Sequence, residues 1–262
     1  MPPRHARDDS PGTPMGAPTT EGPGSGIHPA PRGVPAPAPP ESIRFSAGPH
    51  GEVSGLLLVP GEARWLYVLA HGAGAGMRHP FMAAMAERLA GRGIATLRYQ
   101  FPYMERGGSR PDPPPVAVAA VRAAVTEASR CCPGAALVAG GKSFGGRMTS
   151  TAIAEGALPS VRGLVFLGFP LHPPGRPSVT RARHLEDVTM PMLFLQGTRD
   201  DFADLALLRG VLDRLGDRPT LHVVEGADHS FGVLKRSGRT GEQVLDELAE
   251  SVEAWLSRLE PS

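Results

Sequence analysis

A serine hydroxyl becomes a useful nucleophile at neutral pH only when a histidine can take its proton and a carboxylate can orient that histidine. Three stretches of this sequence offer those groups in the order serine, acid, base. The first is the Gly-x-Ser-x-Gly pentapeptide Gly141-Lys142-Ser143-Phe144-Gly145. The second, residues 192–200, is an apolar run with a glycine turn that ends on Asp200, and the third, residues 224–231, carries His229. The glycines have a mechanical purpose: a serine on a sharp strand-to-helix turn is held in a strained conformation, and only glycine at the flanking sites lets neighbouring main chain come that close. The hydroxyl then stands at a helix N-terminus, where free N–H groups favour developing negative charge. The chemistry implied is acyl transfer through Ser143, with His229 as base and Asp200 as the orienting acid.

Other assignments are weaker on position, and the sequence leaves the choice between Asp200 and Asp201 open. Asp201 is as ionisable as Asp200, but one of the pair is expected to cap the helix that follows, and Asp200 stands nearer the strand end. His71 precedes the serine, His172 precedes the acid and His222 lies inside a predicted strand; Asp228 reads as a loop residue. Gly-Lys-Ser also ends the phosphate-binding loop, yet Ala136 stands where that loop needs its first glycine, and the intervening residues are themselves strand. An oxyanion needs two converging N–H donors: the glycine-rich run 71–76 offers the one on Ala73, and the turn at the serine offers the one on Phe144.

Positioning these groups requires a sheet whose strands end at a common edge. Residues 55–59, 65–70, 94–99, 135–139, 161–167, 192–195 and 220–224 read as strands, several of them apolar without alternation, as a sheet covered on both faces requires. Helices fill the gaps. One starts at Pro80 with Phe81, Met85 and Leu89 on one stripe and stops at Gly91 and Gly93; another opens after Asp112 and three prolines, with Val118, Val121, Val125 and Ala128 aligned. Residues 145–156, 204–215 and 241–259 supply three more. The fold class is therefore α/β, a three-layer α/β/α sandwich with a mostly parallel, doubly wound sheet. Residues 1–40, rich in proline, glycine and alanine, read as a disordered tail, and 41–262 as the single domain.

Composition narrows the function classes. Among 262 residues, 27 Lys and Arg nearly balance 26 Asp and Glu, so no broad basic field exists to attract nucleic acid or anionic lipid. No apolar run is long enough to span a bilayer, and no secretory leader is evident. The two cysteines, Cys131 and Cys132, are adjacent, and no Cys/His cluster has metal-ligand spacing. These features point to a cytoplasmic protein with no metal, no cofactor, no nucleic-acid or membrane partner, and a small-molecule substrate; oligomeric state is left open.

The stretches AHGAGAGM (70–77), RYQFPYMERGG (98–108), GGKSFGGRM (140–148), LGFPLHPPGRP (167–177), LQGTRDDF (195–202) and GADHSF (226–231) together carry a family resemblance. From about residue 51 to the end the chain resembles the α/β-hydrolase superfamily and looks like its lidless, dienelactone-hydrolase-like branch. A closer likeness is to a bacterial group related to a testis-expressed protein and to a subunit of a eukaryotic histone-acetyltransferase (NSL) complex. The resemblance implies Ser143, Asp200 and His229 as the triad of a serine-dependent acyl hydrolase, a carboxylic-ester hydrolase in the first instance. The eukaryotic relatives imply an alternative, a non-catalytic interaction module on the same fold. Asp201-Phe202-Ala203 departs from the expected proline and phenylalanine-glycine at the acid turn.

Only some twenty residues separate the predicted strands on either side of 168–190, which leaves no room for a large lid. The site is expected to be open and bordered by Phe101, Tyr103 and His172, with Arg98 and Arg147 as anchors for an anionic group or, equally, as structural ties.

Overall fold

The computed structural model describes residues 39–156 and 158–259. The segment read as a tail lies outside the described residues except for its last two. Among the described residues eight strands form one sheet: β1 (Glu41–Ser46), β2 (Glu52–Leu58), β3 (Trp65–Ala70), β4 (Ile94–Tyr99), β5 (Ala136–Lys142), β6 (Val161–Leu167), β7 (Met192–Gly197) and β8 (Pro219–Val224). Their order across the sheet is β1-β2-β4-β3-β5-β6-β7-β8. The first two strands form an antiparallel hairpin whose second member joins β4 antiparallel, and β3 to β8 run parallel. The helices are α1 (Pro80–Ala90), α2 (Pro102–Glu105), α3 (Pro114–Cys131), α4 (Phe144–Glu155), α5 (Leu205–Asp213) and α6 (Gly241–Leu256).

The side-chain alternation of a strand divides the core between two layers. Trp65, Tyr67 and Leu69 of β3 pack with Met82, Met85 and Leu89 of α1 and with Val244, Leu248, Val252 and Trp255 of α6. Leu66, Val68 and Ala70, the intervening residues, pack with Val118, Val121 and Val125 of α3 and with Met148 and Ala152 of α4. Both faces of β3 are thus buried, which is why its sequence is apolar throughout.

Local signals set the helix ends. Pro80 occupies the first turn of α1, the His79 side chain accepts from the Phe81 N–H, and Gly93 (φ 74°) turns the chain away afterwards. Thr240 and Gln243 form a capping box at the start of α6. The cap of α5 is Asp204, which accepts from the Leu207 N–H, so neither Asp200 nor Asp201 fills that place.

Two features depart from the sequence expectation. β1 was not foreseen, because only Phe45 of its six residues is buried and an edge hairpin strand shows little apolar pattern. A 3-10 segment, Thr180–Asp187, fills part of the crossover between β6 and β7. No helical cap is inserted there among the described residues. Six parallel strands therefore end at one edge, and the loops after β3, β5, β6, β7 and β8 meet on it, where open α/β sheets place their functional groups. Among the described residues no helix is long and apolar enough to cross a membrane.

Candidate active site

Ser143 is the hinge between β5 and α4. Its φ of 49° and ψ of −113° lie outside the regions ordinary residues favour, and its N–H donates to the Leu167 carbonyl of the neighbouring strand. The flanking glycines are required by contact: a Cβ on Gly141 would lie 2.1 Å from the Ala70 carbonyl oxygen, and one on Gly145 would lie 2.5 Å from that of His71. Close packing of the elbow against β3 and its loop holds the serine in place.

The structure brings Ser143, His229 and Asp200 together. His229 Nε2 lies 2.8 Å from Ser143 Oγ, and its Nδ1 lies 2.7 Å from Asp200 Oδ2. A carboxylate only accepts, so Nδ1 carries the proton and Nε2 is left to receive one from the hydroxyl. The Asp200 side chain is 1% exposed, and its charge is met by donors. The Gln196 amide donates to Oδ2 and the Phe202 N–H to Oδ1, at 2.5 and 2.8 Å. Asp201, by contrast, is exposed. Asp228 organises the histidine loop: its Oδ1 accepts from the N–H groups of Ser230 and Gly232.

The other three histidines weighed from the sequence are engaged elsewhere. His71 is fully buried, donates from Nδ1 to the Gly72 carbonyl and accepts at Nε2 from the Phe101 N–H; burial lowers its pKa to about 4. His222 pairs with Glu247, and His172 accepts at Nε2 from the Asp204 N–H.

The three side chains expected to border substrate take other places. Phe101 and Tyr103 are 0% and 2% exposed and lie beneath the glycine-rich loop. Phe101 meets the His71 and Phe144 rings edge-on, and Tyr103 Oη accepts from the Gly74 N–H. Gln100 accepts from the Met77 N–H and Arg98 donates to the Met77 carbonyl. The segment 98–103 therefore acts as a clamp on the loop that carries Ala73, because its aromatic and polar groups are spent on packing and on loop N–H groups. His172, 4% exposed, likewise ties the loop after β6 to the one before α5. Arg98 is buried and structural; Arg147 does not line the cleft.

The cleft that opens over Ser143 and His229 has a volume of about 380 Å³. Its floor is the main chain of residues 72–75, and its apolar walls are Phe81 and Met82 of α1 and Phe202 after β7. The N–H groups of Ala73 and Phe144 have no acceptor among the described residues, which leaves them free for a ligand oxygen.

Several contributors were not foreseen from the sequence. Gln196 was visible as the lone polar side chain in the buried strand Met192–Gly197, where a buried amide must have partners. Phe202 and Phe81 carried no such signal. Lys142, read in sequence only as part of a mimic of a phosphate loop, donates from Nζ to the His229 carbonyl at 2.5 Å.

A family model described as an alpha/beta hydrolase domain matches residues 63–257. The chain belongs to the α/β-hydrolase family. Among solved structures this α/β hydrolase is similar to a dienelactone hydrolase from Anabaena variabilis, with 22% identity over 85% of this chain and 98% of that one and a TM-score of 0.67. It is also similar to an α/β serine hydrolase without lid from Xanthomonas campestris, with 21% identity, 84% and 96% coverage and a TM-score of 0.65. Est1E from Butyrivibrio proteoclasticus shares 17% identity over 83% and 98% of the two chains, with a TM-score of 0.63. At these identities the likeness is one of fold.

Proposed function

We propose that this α/β hydrolase is a serine-dependent acyl hydrolase that cleaves small carboxylic esters. The observation that carries the reading is the continuous hydrogen-bond chain Asp200–His229–Ser143 ending on a serine in a strained elbow. Ser143 Oγ attacks the ester carbonyl while His229 Nε2 takes its proton; Asp200 holds the imidazole and stabilises the imidazolium. The carbonyl oxygen, now negative, accepts from the N–H groups of Ala73 and Phe144. His229 then protonates the departing alkoxide, leaving an acyl-enzyme. Water attacks the acyl carbon as His229 removes its proton; the intermediate then collapses, His229 returns that proton to Ser143 Oγ, and the carboxylic acid leaves.

Substrate size follows from the cleft. A volume of about 380 Å³ lies toward the small end of ligand pockets, and its walls are apolar on the α1 side. A short acyl or aryl ester fits this description, and the dienelactone-hydrolase-like neighbours make a lactone a natural second substrate to assay. Two free, partly buried thiols agree with a cytoplasmic setting.

Labelling by a fluorophosphonate probe tests the reading, because the probe reacts only with an activated serine. Wild type is expected to label and to hydrolyse p-nitrophenyl acetate, and Ser143→Ala to do neither. Wild type that fails to label, or a Ser143→Ala variant labelled as fast, would favour a non-catalytic interaction module.

A further inference from the structure

Lys142 stands next to Ser143 in the chain and takes no part in the cycle above. Its stem passes the glycine-rich loop, where a Cβ on Gly72 would lie 3.4 Å from Lys142 Cγ. Its ammonium ends beneath the histidine loop, 2.5 Å from the His229 carbonyl oxygen and 5.5 Å from the centroid of the Phe231 ring. Gly168 makes the space: its φ is 71°, and a Cβ there would lie 3.2 Å from Lys142 Nζ and 3.5 Å from His229 Nδ1. Ammonium, imidazole and Gly168 are packed as one unit.

Lys142 is half-buried and lines the cleft over Ser143, and drawing an ammonium even partly out of water is costly. Filling this volume needs only methylenes, which methionine would supply without a charge to desolvate. What the cation alone adds is a strong donor to the His229 carbonyl and an opposite charge for Asp200 and Asp228, one from each of the two loops nearby. The groups contributed by the other neighbouring elements, Gly72, Gly168 and the Ser143 hydroxyl, carry no charge. Main-chain bonds such as Arg199 N–H to the Ala227 carbonyl already tie the acid loop to the base loop. Asp228 stiffens the base loop from within. Neither tie fixes that loop against the elbow, and the bond from Lys142 to His229 does.

We propose that Lys142 is a positioning residue, a half-buried cationic strut that fastens the main chain of His229 to the nucleophile elbow and so sets the reach from imidazole to hydroxyl, at the expense of stability. The inference rests on the hydrolase reading.

Burial lowers the Lys142 pKa from 10.5 to about 8, with Asp200 and Asp228 opposing the fall. The strut is therefore charged below about pH 8 and loses its proton above it. Between about pH 8 and 10.5 the unfolded chain binds a proton that the folded chain does not, so the contribution of this group to stability rises with pH. Activity and stability consequently move in opposite directions, whereas a space-filling role would move them together.

The test compares wild type, Lys142→Met and Lys142→Arg as full chains, by fluorophosphonate labelling, p-nitrophenyl acetate kinetics and thermal unfolding. Lys142→Met is expected to lose roughly tenfold or more in kcat and in labelling rate, with KM little changed and Tm equal or higher. Wild-type kcat is expected to decline near pH 8, a limb absent from Lys142→Met and moved to higher pH in Lys142→Arg, which also recovers much of the rate. Wild type that labels, with a Lys142→Met variant that labels equally fast, overturns this inference alone. A joint fall of kcat and Tm that arginine does not rescue also overturns it. Wild type that never labels overturns the hydrolase reading and the inference with it.

Discussion

The ring of Phe202 lies over the imidazole of His229, with centroids 4.2 Å apart and planes inclined by 27°. The same residue donates its N–H to Asp200 Oδ1, so one position touches both Asp200 and His229. Its backbone is held by the acid turn, while its side chain closes the cleft on one side and limits tilting of the imidazole. Replacing the ring removes the second function and spares the first. Phe202→Ala is expected to lower kcat by roughly tenfold, with a loss of stability of about 1 kcal/mol for a partly exposed ring. Steady-state kinetics alongside urea unfolding would check both; unchanged kcat would show that the stack is incidental.

Gln196 spans two loops from inside the sheet. Its amide nitrogen donates to Asp200 Oδ2 and its oxygen accepts from the Phe169 N–H at 2.9 Å. Gln196→Leu keeps the bulk but leaves a buried N–H without an acceptor and a buried carboxylate short of one donor. A stability loss of about 2 kcal/mol is expected. Turnover should fall as well, because the carboxylate that orients His229 is freer to rotate. A leucine variant as stable and as active as wild type would contradict the assignment.

The backbone of Ser143 is the clearest store of strain in the described residues. Glycine adopts a positive φ without the steric penalty, so Ser143→Gly is expected to abolish turnover while leaving stability unchanged or raising it by up to about 2 kcal/mol. Chemical denaturation reads this directly. Destabilisation beyond the flexibility that a glycine adds to the unfolded chain would show that the elbow is not strained.

Acid sensitivity follows from two histidines. Burial lowers the pKa of His71 from 6.5 to about 4, and burial and Arg147 lower that of His184 to about 4. In that window the unfolded chain takes up protons that the folded chain refuses, so stability is complete above about pH 6.5 and drains away as the pH falls toward 4. His184→Gln should flatten the slope of unfolding free energy against pH by roughly one proton. An identical slope in the variant would place the acid sensitivity elsewhere.

Much of the scaffold was legible in the chain because it rests on local and periodic rules. The apolar runs of β3 to β8, the proline at the start of α1, the glycines after it and the pentapeptide around Ser143 each encode their own conformation. The order of Ser143, Asp200 and His229 along the chain was likewise readable, because each follows a strand that ends at the same edge. β1 escaped notice because a hairpin strand with one buried residue has almost no pattern to read.

What lines the cleft was decided only by the tertiary fold. Phe101 and Tyr103 look in sequence like aromatic walls, yet they are drawn under the glycine-rich loop, where its N–H groups need acceptors and its small residues leave volume to fill. Phe81, more than a hundred residues earlier in the chain, lines the cleft together with Phe202 and stacks on Phe231. Asp200 and Asp201 differ in the chain by one position, but only one side chain can turn inward at that turn, and the donors on Gln196, Phe202 and His229 await it there. Local sequence specifies which backbone can form; burial and the pairing of every buried charge specify which side chains then meet.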